Sequence, residues 1–236
     1  MQIVKAKGGG ETDLKKLKRI IIIGGHYGTG KTNLAVNLAL DFKKSGEAVT
    51  LCDLDIVNPY FRSSDFKVLA RQRGIQLVSP IFAGTNLDLP ALSSRLDAAI
   101  FDESSRLIID VGGDDAGAAV LGRYAAKIMA AGYSFLYVIN RSRPLTETPR
   151  QAVEILREIE QASRLAATDL ANNTHLAQLT SAEIILNSQD YAQQVSALTG
   201  LELLFTTAPR PLADEVQAGC RQGDVYPIEL YVKTPW

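Results

Sequence analysis

Cysteine is nearly absent: Cys52 and Cys220 stand 168 positions apart in 236 residues, too few and too distant to staple a fold. Cys52 lies in an apolar run, which reads as a buried free thiol in a reducing compartment. Histidine is as scarce. His26 and His175 are isolated from one another, so no zinc set is spelled out. Charge of one sign is missing too, with 25 basic against 26 acidic residues and a formal charge of -1. Neither that balance nor any long basic stretch argues for nucleic acid. Long apolar runs are also lacking. Ile20 to Ile23 is the longest aliphatic run near the start, against about 20 residues needed to span a bilayer, and no apolar stretch of signal-peptide length follows the polar first 18 residues. A cytoplasmic chain that does not engage a membrane is expected. There is no internal repeat, heptad array, low-complexity tract or Pro/Gly-rich linker. Residues 1–18, with Gly8-Gly9-Gly10 and the Lys15-Lys16-Leu17-Lys18 cluster, read as a flexible, solvated lead-in, and residues 19–236 as a single domain.

What is present is an alternation of short apolar strands with helical periodicity. Ile20–Ile23 is continuously apolar, as in a strand covered on both faces. Thr32 to Lys44 has helical spacing and stops at Ser45-Gly46. Strands follow at 48–52, 75–78, 106–111, 134–139, 166–171 and, as the last clear one, 201–205. Helices are expected at 64–73, 90–103, 116–131, 149–164 and, started by a capping box Thr180-Ser181-Ala182-Glu183, up to Leu198. Strand–helix alternation predicts an α/β fold: a three-layer, doubly wound, mostly parallel sheet with helices on both faces and binding at the strands' carboxyl ends.

The chemistry concentrates after the first strand. Gly25-His26-Tyr27-Gly28-Thr29-Gly30-Lys31-Thr32 matches G-x-x-x-x-G-K-[ST] between a buried strand and a helix start. Glycines there let backbone N–H groups close around a phosphate, and the helix terminus adds partial positive charge. The expected nucleotide-binding residues are Gly25, His26, Tyr27, Gly28, Thr29, Gly30, Lys31, Thr32 and the adjoining Asn33. Lys31 is expected to reach the β- and γ-phosphates, and the Thr32 hydroxyl to ligate Mg²⁺. Three acids follow strands on the same edge. Asp53 and Asp55 leave the second strand on one side of the chain, and Asp110 precedes Gly112-Gly113. Asp53 and Asp110 are candidate metal ligands with Thr32. Asp55 is the candidate for orienting an attacking water, which makes Lys31 and Asp55 the catalytic pair, and Gly113 is the backbone sensor of a γ-phosphate. Taken singly, each acid reads equally as a cap or turn residue. Tyr27, Tyr60 and Phe61 either cover a ligand, meet a partner or pack. The loop arginines Arg62, Arg141 and Arg143 either contact phosphate or a partner or are solvated.

Together the phosphate loop, Asp53-x-Asp55, Asp110 to Gly113 and the tail resemble the ParA/MinD and CobQ/CobB group of P-loop NTPases, from Arg19 onwards. The resemblance implies Mg-ATP, an adenine contact at Asn173 or its neighbour Asn172, and a closing stretch from Ala208-Pro209 to Gly223 lying beside the base, with Pro209 in the site. It implies a slow ATPase acting as a nucleotide switch or an assembly factor that works with a partner protein. The alternative is an ATP-dependent ligase or small-molecule kinase of CobB or dethiobiotin-synthetase type, its acceptor pocket around Ile81 to Leu92 with Thr85, Asn86 and Asp88. A nucleotide-binding adaptor with negligible turnover is the third. One departure stands out: partitioning ATPases of this kind carry a second lysine early in the loop, and His26 takes that place here. A neutral imidazole does not replace a fixed cation. A homodimer sandwiching nucleotide therefore stays open.

Overall fold

The first strand explains the rest of the architecture. In a computed structural model that describes residues 14–54, 64–79, 89–113, 115–221 and 223–231, strand β1 (Ile20–Gly24) is buried along its whole length. Ile20 and Ile22 enter one core while Ile21 and Ile23 enter the other, as a period of two requires. Each such isoleucine contributes about 1.5–3 kcal/mol by leaving water. An all-apolar strand is stable only with layers on both sides.

Those layers come from the alternation that follows: α1 (Lys31–Lys44), β2 (Val49–Asp53), α2 (Ser64–Arg73), β3 (Gln76–Val78), α3 (Leu89–Phe101), β4 (Arg106–Asp110), α4 (Asp115–Gly122), α5 (Ala125–Ala131), β5 (Tyr133–Ile139), α6 (Pro149–Ser163), β6 (Asp169–Asn172), α7 (Ala182–Leu186), α8 (Gln189–Thr199), β7 (Glu202–Pro209), α9 (Ala213–Gly219) and β8 (Asp224–Ile228). Among the described residues the eight strands form one sheet in the order β3-β2-β4-β1-β5-β6-β7-β8, each neighbouring pair parallel. Leu34, Leu38 and Phe42 of α1 fill one core, with Tyr226 and Ile228 of β8. Leu96, Leu121, Ile128, Leu156 and Val195 of α3, α4, α5, α6 and α8 fill the other. The doubly wound fold is as expected, and β1 lies between β4 and β5. That is where the winding reverses and where a crevice opens at the carboxyl ends. No helix among the described residues is long and apolar enough to cross a membrane.

Five local expectations are corrected. The helix expected over 116–131 is two, α4 and α5, separated by a turn in which Arg123 and Tyr124 donate to Val120 and Leu121. The strand expected from Ala166 begins only at Asp169, because side chains take its first backbone groups: Glu160 accepts from Ala167 N–H and Tyr133 donates to Ala166 C=O. The cap is Ser181, whose hydroxyl accepts from Ile184 N–H, and not Thr180, which closes the preceding turn by donating to Ala177 C=O. The helix behind it breaks at Ser188, whose buried hydroxyl bonds Ile185 C=O and receives the Asn172 amide. Finally, β7 continues to Pro209 and β8 follows it. Pro227 sits inside β8, at the sheet's edge, where a residue without an N–H is tolerated.

Gly122 offers a test of packing against propensity. A Cβ there would lie 2.7 Å from the Ala162 carbonyl oxygen of α6. Helix propensity alone favours Gly122→Ala by up to about 1 kcal/mol, whereas forced separation of α4 and α6 costs about 1–3 kcal/mol. Urea unfolding is expected to show net destabilisation; an unchanged or raised midpoint counts against the close approach.

Candidate functional site

Between β1 and α1 the backbone turns on three glycines with positive φ, Gly25 at 155°, Gly28 at 76° and Gly30 at 86°, values that L side chains rarely adopt. The turn is wound around one oxygen. The His26 carbonyl accepts from the Lys31 ammonium at 3.0 Å, from Thr29 N–H at 3.3 Å and from the Thr29 hydroxyl at 2.8 Å. Lys31 is thereby held over the loop with 7% of its surface exposed. Gly30 caps α1 without any side chain to accept from the helix's first turn, and the first N–H groups of a helix have no partners within it. An ammonium and the donors of a helix start thus converge on one concavity, suited to a polyanion.

The acids arrive from the next two strands. Parallel register sets Asp53 at the end of β2 beside Asp110 at the end of β4, and both are buried. The Thr32 hydroxyl donates to Asp110 Oδ2 at 2.7 Å, which ties loop to strand. Burial pushes the neighbouring Cys52 thiol well up, and Asp53 and Asp110 add to the shift, which marks these strand ends as a focus of negative charge. One hydroxyl and two carboxylates make a hard oxygen set, the chemistry that Mg²⁺ takes when water and phosphate complete its shell. The described residues hold no group of three or more His, Cys, Asp or Glu side chains that could form a cage of their own.

Gly113 closes the floor. A Cβ on it would lie 2.6 Å from both Tyr27 Cα and N, and 3.0 Å from Lys31 Nζ, so the turn after β4 rests directly on the loop. The Tyr27 ring does not pack inward; that residue is 58% exposed. His26 is half-buried, and burial, then the Lys31 charge, lowers its pKa against an opposing pull from Glu158. The surroundings thus disfavour the charged form of the ring.

The far wall of the loop is built by residues that the sequence hinted at only in part. Asn173, buried at the end of β6, donates to Thr29 C=O at 2.6 Å and accepts from the Thr207 hydroxyl of β7. Both ends of its amide are therefore taken up by protein. His175 accepts from Ala177 N–H through Nδ1 at 3.1 Å, which leaves the proton on Nε2, 2.7 Å from where a Cβ on Gly30 would stand. Burial, then the Arg143 charge, holds its pKa down to about 4. Asn140, after β5, joins this wall by donating to His175 C=O and accepting from His175 N–H. Arg143 reaches the loop from the same connection, with Nε donating to Gly28 C=O at 2.9 Å. Of Asn140, His175 and Thr207, only Asn140 directly follows a strand, as a polar residue behind an apolar run.

Two further expected nucleotide residues are Asn33 and Pro209. The Asn33 amide donates to Glu229 C=O and accepts from Tyr231 N–H, tying the tail to α1. Pro209 ends β7, the third strand from β1. Asp55, Tyr60, Phe61, Arg62, Thr85, Asn86 and Asp88 lie outside the described residues.

Comparison with known proteins places this geometry. Residues 20–198 match the family described as CobQ/CobB/MinD/ParA nucleotide binding domain. No curated protein matches the chain. Among solved structures, FtsY from Mycoplasma mycoides is similar at 16% identity, TM-score 0.55, over 81% of this chain and 60% of that one. Chloroplast FtsY from Physcomitrella patens is similar at 18%, TM-score 0.54, over 79% and 57%. The signal recognition particle 54 kDa protein from Aeropyrum pernix K1, in complex with GDP, is similar at 19%, TM-score 0.50, over 83% and 42%. The chain thus spans three-fifths or less of each of these proteins. At such identities the likeness is one of fold.

The low pKa of His175 has a stability consequence. The folded ring stays neutral while the unfolded ring takes up a proton below about 6.5, so this contribution is present above that pH and is lost as pH falls towards 4. The Tm advantage of the parent over His175→Gln is expected to shrink across that window. A difference that stays constant from pH 7 to pH 4 would reject a neutral buried imidazole.

Proposed function

As a member of the CobQ/CobB/MinD/ParA nucleotide-binding family, the chain is, we propose, a Mg-ATP-dependent switch that hydrolyses its nucleotide slowly and signals occupancy to a partner protein. The observation that carries this reading is the contact of Gly113 with the Tyr27 backbone and Lys31. Whatever enters the loop presses on the turn after β4, so occupancy of the phosphate site becomes a displacement elsewhere.

Bound Mg-ATP supplies the transferable phosphoryl group and the metal's charge; this chain's residues supply the rest. Lys31, the loop amides and the start of α1 neutralise the phosphate chain. Thr32 and Asp110, already joined at 2.7 Å, offer oxygens to the metal, with Asp53 alongside in register. Asp55, two residues beyond Asp53, is proposed to orient the attacking water. Gly113 is proposed to report the γ-phosphate through its backbone. Asn173 holds the loop through Thr29, which shapes the site from outside, while Pro209 and the closing stretch are proposed to border the base. Adenine is favoured on the family likeness, and the GDP in the Aeropyrum structure makes guanine the comparison to run.

Binding and turnover with ATP and GTP form the test. ATP is expected to bind more tightly and to be hydrolysed slowly without any acceptor. Lys31→Ala should weaken binding by roughly a hundredfold, on the scale of a lost charge-assisted contact of about 3 kcal/mol. Asp55→Asn should keep affinity and lose turnover. Unchanged affinity in Lys31→Ala would sink the site. Turnover that required an added carboxylate or hydroxyl acceptor would replace the switch with a ligase or kinase.

A further inference from the structure

The phosphate loop holds one lysine and no arginine, and its histidine, His26, is half-buried with its charged form disfavoured by burial and by Lys31. A second cation nevertheless reaches it from another part of the chain. Arg143, on the connection between β5 and α6, lays its side chain across the loop's middle glycine. Nε donates to Gly28 C=O at 2.9 Å, and Nε and Cδ lie 3.4 and 3.5 Å from where a Cβ on Gly28 would stand. A Cβ at 28 would meet the Arg143 side chain at ordinary van der Waals distance, so the arm lies directly against the loop, and the φ of 76° disfavours any residue but glycine there.

The arm that carries Arg143 is fixed. Arg143 N–H donates to Asn140 C=O, and Arg143 C=O accepts from Thr146 N–H, both at 3.2 Å. Thr146 is fully buried, donates through its hydroxyl to Asn140 C=O at 2.8 Å, and accepts from the Tyr191 hydroxyl at 2.6 Å. Beyond it Thr148 and Gln151 form a reciprocal cap on α6, with Pro149 at its first turn. Little entropy is left to lose when the guanidinium engages a ligand. The anchoring bond uses one of the side chain's five donors, and among the described residues no carboxylate pairs with Arg143. A half-buried guanidinium held by one neutral carbonyl is poorly compensated, whereas phosphate oxygens accept from it with full charge assistance.

We propose that Arg143 is a phosphate-chain ligand of the nucleotide site, supplying from the β5–α6 connection the fixed cation that the loop lacks at position 26. Its Nε bond to Gly28 aligns the fork, and its Nη groups take phosphate oxygens. The inference rests on the phosphate-binding reading of Gly25 to Thr32.

The test is a titration of the full chain with ATP, ADP and AMP, comparing the parent with Arg143→Gln, Arg143→Lys and Lys31→Ala. Arg143→Gln is expected to weaken ATP by about tenfold or more and to reduce the ratio of ATP to AMP affinity by a similar factor, while the Tm of the ligand-free protein stays close to the parent's. Arg143→Lys should recover part of that ratio, and it serves as the readout if the glutamine variant does not fold. Equal losses for all three nucleotides would make Arg143 a prop for the loop and overturn the proposal. So would full ATP affinity in Arg143→Gln while Lys31→Ala loses binding. Unchanged binding in Lys31→Ala would instead remove the phosphate site itself.

Discussion

The His26 carbonyl is the hub of this molecule's working edge. Three donors, two from Thr29 and one from Lys31, meet on that oxygen. A backbone acceptor cannot be deleted by substitution, which makes the identity of the side chain at 26 a separate matter from the shape of the loop. With histidine at 26 the carbonyl keeps all three bonds. Shape and charge are therefore decoupled here: glycines and a carbonyl set the first, and cations arriving from different segments set the second.

That separation explains how much was legible. Phosphate loop, helix start and strand-end acids are local in sequence, because each depends on residues within one turn or one strand end. The doubly wound sheet was legible for a similar reason, since a four-isoleucine strand has only one kind of home. The supporting wall was not. Asn173 meets Thr29 across 144 residues and His175 meets Gly30 across a comparable span, and neither spacing carries a pattern. Element boundaries failed where a side chain displaced a backbone partner, as Glu160 and Tyr133 do ahead of β6 and as Ser188 does within what read as one helix. Propensity describes a residue's own preference, and these breaks were decided by someone else's hydrogen bond.

Around the loop the bracing forms a continuous mesh. Thr207 holds Asn173, Asn173 holds Thr29, Asn140 holds His175, and Tyr191 holds the turn that carries Arg143. Strands β5, β6 and β7 thus bear on the loop from one side through buried polar contacts, while β4 bears on it from the other through Asp110 and Gly113. Such polar networks are stiff when every member is satisfied. The two sides differ in kind. The β5–β7 side is cross-linked by side-chain amides and hydroxyls, whereas the β4 side rests on the Asp110–Thr32 bond and on the close approach of Gly113 to Tyr27 and Lys31.

The proline in β8 reaches beyond the site. A parallel sheet of eight strands ends in two rows of backbone groups that invite another chain to extend it. Among the described residues one border is β3, only three residues long, and the other is β8, interrupted by Pro227. A growing strand would find too short a template on one flank and a missing donor on the other. Multimers of this protein that form by lengthening the sheet are disfavoured at both ends, which directs self-association, where it occurs, away from the sheet's rims and towards its faces and loops.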